Sequence, residues 1–264
     1  MPLALEHIRR MRGGAQGHLM RCSDGGYYVV KFQNNPQHTR ILANELLGTR
    51  LAARLGIPTA PVAVVEVRQE LIENTAELIV QQGLGRTLCS AGLQFGSRYP
   101  GDPARQVVHD FLPDELLSQV ENLADFAGML VFDKWTCNTN GRQAIYFREP
   151  GRARYQAWMI DQGFCFNASE WNFPDAPLRG LYARNRVYEG VRGPESFEPW
   201  LARLEKLDER ALDDIAKEIP PAWYDGDFDV LERLLDQLLR RRSRVRELIL
   251  DARGSYRQPF PNWE

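Results

Sequence analysis

The sequence has 264 residues, of which 44% are hydrophobic and 26% are charged, and these are the proportions of an ordinary globular protein. Its formal net charge is −2, so the overall charge gives no reason to expect a nucleic-acid-binding protein. No stretch approaches the roughly 18 uninterrupted apolar residues of a transmembrane helix. We therefore expect a globular chain of one large domain or two small ones, without a transmembrane segment.

The first quarter of the chain carries strand patterns and one helix pattern. The predicted elements are a strand at Gly17–Arg21, a strand at Tyr27–Phe32, a helix at Thr39–Leu55 and a strand at Pro61–Val67. Ser23–Gly26 between the first two strands has the composition of a hairpin turn. Gly56 and Pro58 are typical of residues that follow a helix.

The remainder of the chain is mainly helical in pattern. Gly83–Pro103 is rich in Gly, Ser, Pro and isolated aromatic residues, which predicts a connector between two halves. The predicted elements beyond it are a helix at Asp114–Phe132, strands at Tyr146–Phe147 and Gln156–Ile160, and helices at Phe197–Ile219 and Asp227–Ala252. The arginine run Arg240–Arg244 favours a solvated helix face, with a phosphate- or partner-binding patch as the alternative. This order suits two lobes with a ligand-binding cleft between them.

The cysteines and histidines show no metal-binding or redox spacing. The cysteines are Cys22, Cys89, Cys137 and Cys165. None lies in a CxxC pair, and unpaired thiols fit a reducing compartment better than a secreted protein. The amino-terminal segment also lacks the long apolar core of a signal peptide. We therefore expect a cytoplasmic protein.

A glycine-rich segment, Gly13–Gly17, directly precedes the first predicted strand. Glycines there allow the backbone to approach a ligand closely and to direct successive N–H groups at an anion. The segment is not a Walker A loop and does not open a helix as a Rossmann fingerprint does. A plain turn between strands remains the alternative.

Lys31 interrupts an apolar strand, and Glu45 follows fourteen residues later within the predicted helix. A strand lysine paired with a helix glutamate is how kinase-like folds hold a cation against nucleotide phosphates. The alternative is a lysine at a sheet edge and a solvated glutamate.

Two further segments carry groups suited to metal and phosphate chemistry. Phe132–Gln143 is rich in amides and emerges from an apolar helix, which is typical of loops with catalytic groups. Asp161 directly follows the predicted strand Gln156–Ile160, and Gly163 comes two residues later. A carboxylate at a strand end beside amide oxygens suits Mg²⁺, although such acids also serve as structural caps.

Taken in order, these motifs resemble the HipA-like kinases, in particular their short single-domain relatives. The resemblance is carried by Gly14-Ala15-Gln16 with His18, by the strand with Lys31, by Asn35-Pro36-Gln37 and by Asn44-Glu45-Leu46. Asn138-Thr139-Asn140 and the later Ile160–Gly163 are also similar to the type II phosphatidylinositol 4-kinases and the wider atypical kinase group. The ordered motifs extend from about residue 13 to residue 161.

The resemblance implies an α+β, protein-kinase-like fold with a small β-rich N-lobe (residues 1–100) and a mainly helical C-lobe (residues 101–264). It also implies ATP and Mg²⁺ in the cleft, with the segment Phe95–Tyr99 near the adenine. The expected nucleotide-binding residues are Gly14, Ala15, Gln16, Gly17, His18, Lys31, Glu45, Phe95 and Gly96. The expected metal ligands are Asp161 and Gln143.

The catalytic loop departs from the kinase pattern. Atypical kinases have an Asn-x-Asp whose aspartate accepts the proton of the acceptor hydroxyl, whereas this chain has Asn140 at that position. An amide cannot act as a base, so a natural or engineered replacement would leave an inactive site. Asp133 with Asn138 is the alternative catalytic pair, because its spacing also fits a kinase loop.

Three functions stay open. They are a phosphotransferase with an impaired base, a nucleotide-binding pseudokinase or partner-binding module, and a nucleotidyltransferase on the same fold. The acceptor is left open, because acceptor specificity in such folds resides in loops without transferable motifs.

Overall fold

Two antiparallel sheets make up the amino-terminal half of the protein, in a computed structural model that describes residues 1–264. The strands are β1 (Ala4–Arg10), β2 (His18–Cys22), β3 (Tyr27–Lys31), β4 (Val62–Val67), β5 (Ile79–Gln82), β6 (Gly85–Leu88) and β7 (Gly92–Arg98). Five of them form one sheet in the order β1-β2-β3-β7-β4, and β5 pairs with β6 in a separate hairpin. The strand β1 was not predicted.

Helix α1 (Ile41–Arg54) lies between β3 and β4 in the chain and packs against the sheet and the helical half. Its apolar residues recur at helical spacing and are buried, which explains why this segment forms a helix. It begins two residues after the predicted start and ends one residue before the predicted end. Gly56 follows with a positive φ of 73°, a conformation that glycine adopts without strain. A short helix, α2 (Gln69–Glu73), follows β4.

The predicted connector at Gly83–Pro103 is wrong, because this segment contains β6 and β7. Strand β7 lies between β3 and β4, where Phe95 pairs with Lys31 on one side and with Val64 on the other. Its glycine reflects close packing rather than a loop: a Cβ on Gly96 would lie 2.4 Å from a methyl group of Val65.

The carboxy-terminal half consists of helices around a small sheet. The elements are β8 (Val108–His109), α3 (Asp125–Thr136), β9 (Gln143–Phe147), β10 (Gln156–Ile160), α4 (Glu198–Glu205), α5 (Glu209–Ala216), α6 (Phe228–Arg241) and α7 (Val245–Arg253). The strand order is β10-β9-β8, and both pairs are antiparallel. A long segment with only short 3₁₀ turns joins β10 to α4.

Three long helices predicted in this half are interrupted. The first divides into a 3₁₀ helix at Asp114–Gln119 and α3, and the other two divide into α4 with α5 and α6 with α7. Asp208 starts α5 as a separate helix, because its carboxylate accepts a hydrogen bond of 2.9 Å from the Ala211 N–H. Apolar periodicity continues across such breaks, so it cannot locate them.

One hydrophobic core extends through both halves. Helix α3 is buried from Phe126 to Thr136, and the same core includes α1 and the inner face of the sheet. A smaller core lies on the other face of the sheet, under α2 and the β5–β6 hairpin. The loop after α3 therefore starts from a rigid, buried scaffold. None of the helices combines the length and apolar character needed to span a bilayer.

The predicted solvated arginine face is wrong for Arg241, which is buried. Its guanidinium pairs with Asp175 and donates hydrogen bonds of 3.0 Å to the carbonyls of Lys134 and Trp135. Arg240 next to it is exposed. Arg241 thus satisfies carbonyls at the end of α3 and anchors α6 to it.

Candidate functional site

A cavity of about 250 Å³ lies between the glycine-rich loop, the end of β3, β7 and the first turns after β10. Of the residues predicted from sequence, it is lined by Gly14, Ala15, Gly17, Lys31, Glu45, Phe95, Asn140, Gln143 and Asp161. These residues are far apart in the chain, and the fold brings them to one place. The cavity is the candidate active site.

Lys31 is held between two carboxylates at this cavity. Its ammonium group donates to Oε1 of Glu45 on α1 and lies 2.9 Å from Oδ1 of Asp161. Burial by itself would lower the pKa of Lys31, but the two carboxylates raise it above the usual range. The lysine is therefore charged, and the three groups together carry a formal charge of −1 when both acids are ionised.

The two carboxylates differ in their pKa. Burial raises the pKa of Glu45, although Lys31 opposes this. Burial also acts to raise the pKa of Asp161, but Lys31 outweighs it with help from Glu45 and Arg142, and the pKa falls to about 2. Asp161 is thus ionised at neutral pH and is the stronger candidate for a cation ligand.

Asp161 occupies a sharp turn after β10, with a positive φ of 65° that non-glycine residues seldom adopt. Gln143 at the start of β9 lies opposite Ile160 in the strand pairing, so its side chain reaches the turn. Its amide donates a hydrogen bond of 2.7 Å to Oδ2 of Asp161. Both oxygens of this carboxylate are therefore oriented, one by Lys31 and one by Gln143.

The glycine-rich loop connects β1 and β2 and is fastened at two points. The Gln16 amide forms two hydrogen bonds of 2.8 Å with the backbone of Gln81 in β5, one as donor and one as acceptor. Asn35 donates a hydrogen bond of 2.8 Å to the carbonyl of Ala15. Gln16 was predicted to contact the nucleotide, but its side chain points away from the cavity and holds the loop.

His18 and Gly96 were also predicted at the nucleotide, and both lie outside the cavity lining. His18 is fully buried on the opposite face of β2, where its Nδ1 is 3.1 Å from Nε2 of His7. Burial, and the proximity of His7, lower the pKa of His18 to about 4. Side chains alternate along a strand, so Phe95 faces the cavity and Gly96 does not.

Asp133 and Asn138, the alternative catalytic pair, are locked in a buried network. Asp133 lies within α3 and has no exposed surface. Arg142 binds it with two hydrogen bonds of 2.6 and 2.9 Å, and Asn138 donates a third of 2.9 Å. Arg142 also donates to the carbonyl of Ile160 at 2.6 Å. This network fixes the loop to the end of β10, and its geometry argues against Asp133 as a base.

Sequence reasoning missed Gln37, which also lines the cavity. Its amide nitrogen lies 2.8 Å from the position that a Cβ on Gly14 would take, so a side chain there would require Gln37 to move. Its Oε1 is buried and has no hydrogen-bond partner in the protein. The signal was present in the Asn35-Pro36-Gln37 segment, where an amide follows soon after the lysine strand.

The end of β7 also borders the cavity. Phe95, Ser97, Arg98 and Tyr99 line it there. Tyr99 donates its N–H to the carbonyl of Tyr27 at 2.7 Å, which keeps the chain beside β3 as it leaves the sheet. That this segment lies near the adenine stays a prediction, whereas its predicted secondary structure, a connector, is wrong.

A lysine–glutamate pair under a glycine-rich loop, with an ionised aspartate at the facing turn, defines a kinase-like site. Residues 5–146 match the sequence family of HipA-like kinases, and this range is more than half of the chain. The chain therefore belongs to the HipA-like kinase family. Among proteins with curated descriptions, none matches the chain in sequence.

Solved kinase structures share the fold. The Golgi casein kinase superposes with a TM-score of 0.57 at 13% identity, over 97% of this chain and 74% of that one. A second structure of that kinase, with Mn/ADP bound, superposes with a TM-score of 0.56 at 13% identity, over 94% of this chain and 73% of that one. HipA of Shewanella oneidensis MR-1, in complex with HipB and operator DNA, superposes with a TM-score of 0.50 at 13% identity, over 95% of this chain and 68% of that one. The predicted α+β, kinase-like fold is confirmed.

Proposed function

We propose that this protein binds ATP with Mg²⁺ in the cavity and that it is a phosphotransferase whose transfer step is slow in the present sequence. The observation that carries the proposal is the Lys31 ammonium held between Glu45 and Asp161 at the cavity. Phosphoryl transfer needs little covalent chemistry from a protein, and depends on positioning and on positive charge near the phosphate oxygens.

The chain's own groups supply that positioning. The backbone N–H groups of the glycine-rich loop and the charge of Lys31 would bind the phosphates. The end of β7, with Ser97–Tyr99, would border the base, since these residues also line the cavity. Glu45 keeps Lys31 in place through the ion pair described above.

The residues around Asp161 fit a divalent cation. Mg²⁺ sites beside nucleotides use one or two carboxylates together with phosphate oxygens, rather than a cage of protein ligands. Asp161 supplies an ionised carboxylate, and Gln143 brings an amide oxygen to the same cavity. When bound, the cation would neutralise charge that develops on the phosphates. The Mn/ADP bound to a neighbour of the same fold supports this proposal.

Asn140 is the reason to expect slow transfer. The carboxylates that line the cavity are Glu45 and Asp161, and both are paired with Lys31. The amide of Asn140 can orient an acceptor hydroxyl but cannot accept its proton. This observation also favours the second candidate function, a pseudokinase that acts by binding nucleotide alone.

Titration calorimetry with ATP and Mg²⁺ tests nucleotide binding directly. Lys31→Ala and Asp161→Ala each remove a charge-assisted contact of about 1.5–3 kcal/mol, so ATP affinity should fall about tenfold or more. Lys217→Ala, which changes an exposed lysine, is the matched control and should bind as the wild type does. Unchanged affinity in both site variants would disprove the proposed site.

Labelled ATP then separates the reactions. Slow transfer of label from γ-labelled ATP supports the phosphotransferase, and binding without any transfer supports the pseudokinase. Transfer of label from α-labelled ATP would identify a nucleotidyltransferase instead.

A further inference from the structure

Asn44, next to Glu45 on α1, is completely buried and directs its whole side chain at the segment that follows Asp161. Its Nδ2 donates to the carbonyls of Gly163 at 2.9 Å, Cys165 at 3.0 Å and Ala168 at 2.8 Å, and its Oδ1 accepts from the Trp171 indole N–H at 2.7 Å. One side chain thus joins α1 to four points of this segment.

Neighbouring residues add to the same connection. Glu45 uses its second oxygen to accept a hydrogen bond of 3.0 Å from the Gln162 N–H, immediately after Asp161. The backbone at Gly163 lies against α1, where a Cβ would be 2.7 Å from a carbon of Ile41. The turn that carries Asp161 is therefore fixed to the helix that carries the partner of Lys31.

The segment needs such support because its backbone is strained. Phe166, Asn167, Ala168 and Trp171 all have positive φ angles, although none is a glycine. Conformations of this kind persist only where the surrounding structure over-determines them. Of the side chains that donate hydrogen bonds to the backbone carbonyls of this segment, Asn44 contacts the largest number, three.

We infer that Asn44 is a positioning residue that fixes the Asp161 turn against α1, so that the metal ligand is in place before nucleotide binds. The role of Asp161 in this inference rests on the proposed function, whereas the position of the turn rests on the hydrogen bonds alone.

The metal-dependent gain in ADP affinity tests this role. We would measure ADP binding with and without Mg²⁺ by titration calorimetry. Asn44→Ala should reduce the gain due to Mg²⁺ about tenfold, since several hydrogen bonds are lost together. ADP affinity without metal should stay unchanged, because Asn44 does not line the cavity. A loss of stability alone would not produce this split between the two affinities.

Trp171→Phe is the milder variant, since it removes only the indole N–H and keeps an aromatic ring. It should reduce the gain about threefold. Trp200→Phe is the matched control, because Trp200 is also buried but its N–H has no hydrogen-bond partner. It should leave the gain unchanged. If Mg²⁺ raises ADP affinity as much in Asn44→Ala and Trp171→Phe as in the wild type, the inference is wrong. If Asn44→Ala does not fold, the result for Trp171→Phe alone tests the inference.

Hydrogen exchange without nucleotide separates this inference from the proposed function. Amides of Gln162–Trp171 should exchange faster in Asn44→Ala and Trp171→Phe than in the wild type or Trp200→Phe. If the wild type does not bind ADP, the proposed function fails, and faster exchange would still support Asn44 as the group that holds the turn. Unchanged exchange in both variants would refute it.

Discussion

Asn140 is the residue on which the proposed transfer reaction depends. Asn140→Asp places a carboxylate at the cavity, able to orient and deprotonate an acceptor hydroxyl. Since general-base catalysis contributes about 10²–10⁴-fold, we expect a rise of that size in transfer from γ-labelled ATP. ATP affinity should hardly change, because this group is expected to face the acceptor rather than the phosphates. An Asn140→Asp protein that binds ATP but transfers no phosphate would favour the pseudokinase.

Asp133 is expected to stabilise the folded protein rather than to act as the base in phosphoryl transfer. Asp133→Asn leaves the buried guanidinium of Arg142 without its counter-charge, and breaking a buried pair costs about 3–5 kcal/mol. Urea unfolding should show a loss of that order. Glu6→Gln, which breaks an exposed pair with Arg21, is the control and should cost less than about 1 kcal/mol. Were Asp133→Asn fully stable yet inactive beside an active wild type, Asp133 would be the base.

At the scale of elements, β7 is a strand because it packs between β3 and β4, although its composition is typical of a loop. Gly96→Ala adds a Cβ that would meet Val65, so we expect overpacking that costs about 1–3 kcal/mol in urea unfolding. Gly190→Ala, at a position with open space and no positive φ, is the control and should be close to neutral. A neutral Gly96→Ala would mean that β7 is free to shift within the sheet.

The same strand marks the limit of prediction from sequence. Lys31 and Asp161 were found because a charged residue within or directly after an apolar strand is a local signal, and Glu45 because it follows Lys31 in the next predicted helix. All three meet at the cavity. The glycine and serine of β7 have the composition of a loop, and only the neighbouring strands make them a central strand. His18 was predicted at the nucleotide but lies on the opposite face of β2. The face on which a strand residue lies depends on how the strand pairs with its neighbours, and composition does not reveal that pairing.

For the whole molecule, the shared core predicts that the two halves unfold together. Because α1 and Phe95 of the sheet belong to the same hydrophobic cluster as α3, neither half can bury this part of its apolar surface without the other. Differential scanning calorimetry should therefore give one transition, with equal calorimetric and van't Hoff enthalpies. ADP and Mg²⁺ at a hundred times the dissociation constant should add about 2.7 kcal/mol, which raises the Tm by roughly 5–10 °C. Asp161→Ala should lose most of this rise. Two separate transitions, with only one moved by nucleotide, would show that the lobes fold independently and that the cavity belongs to one of them.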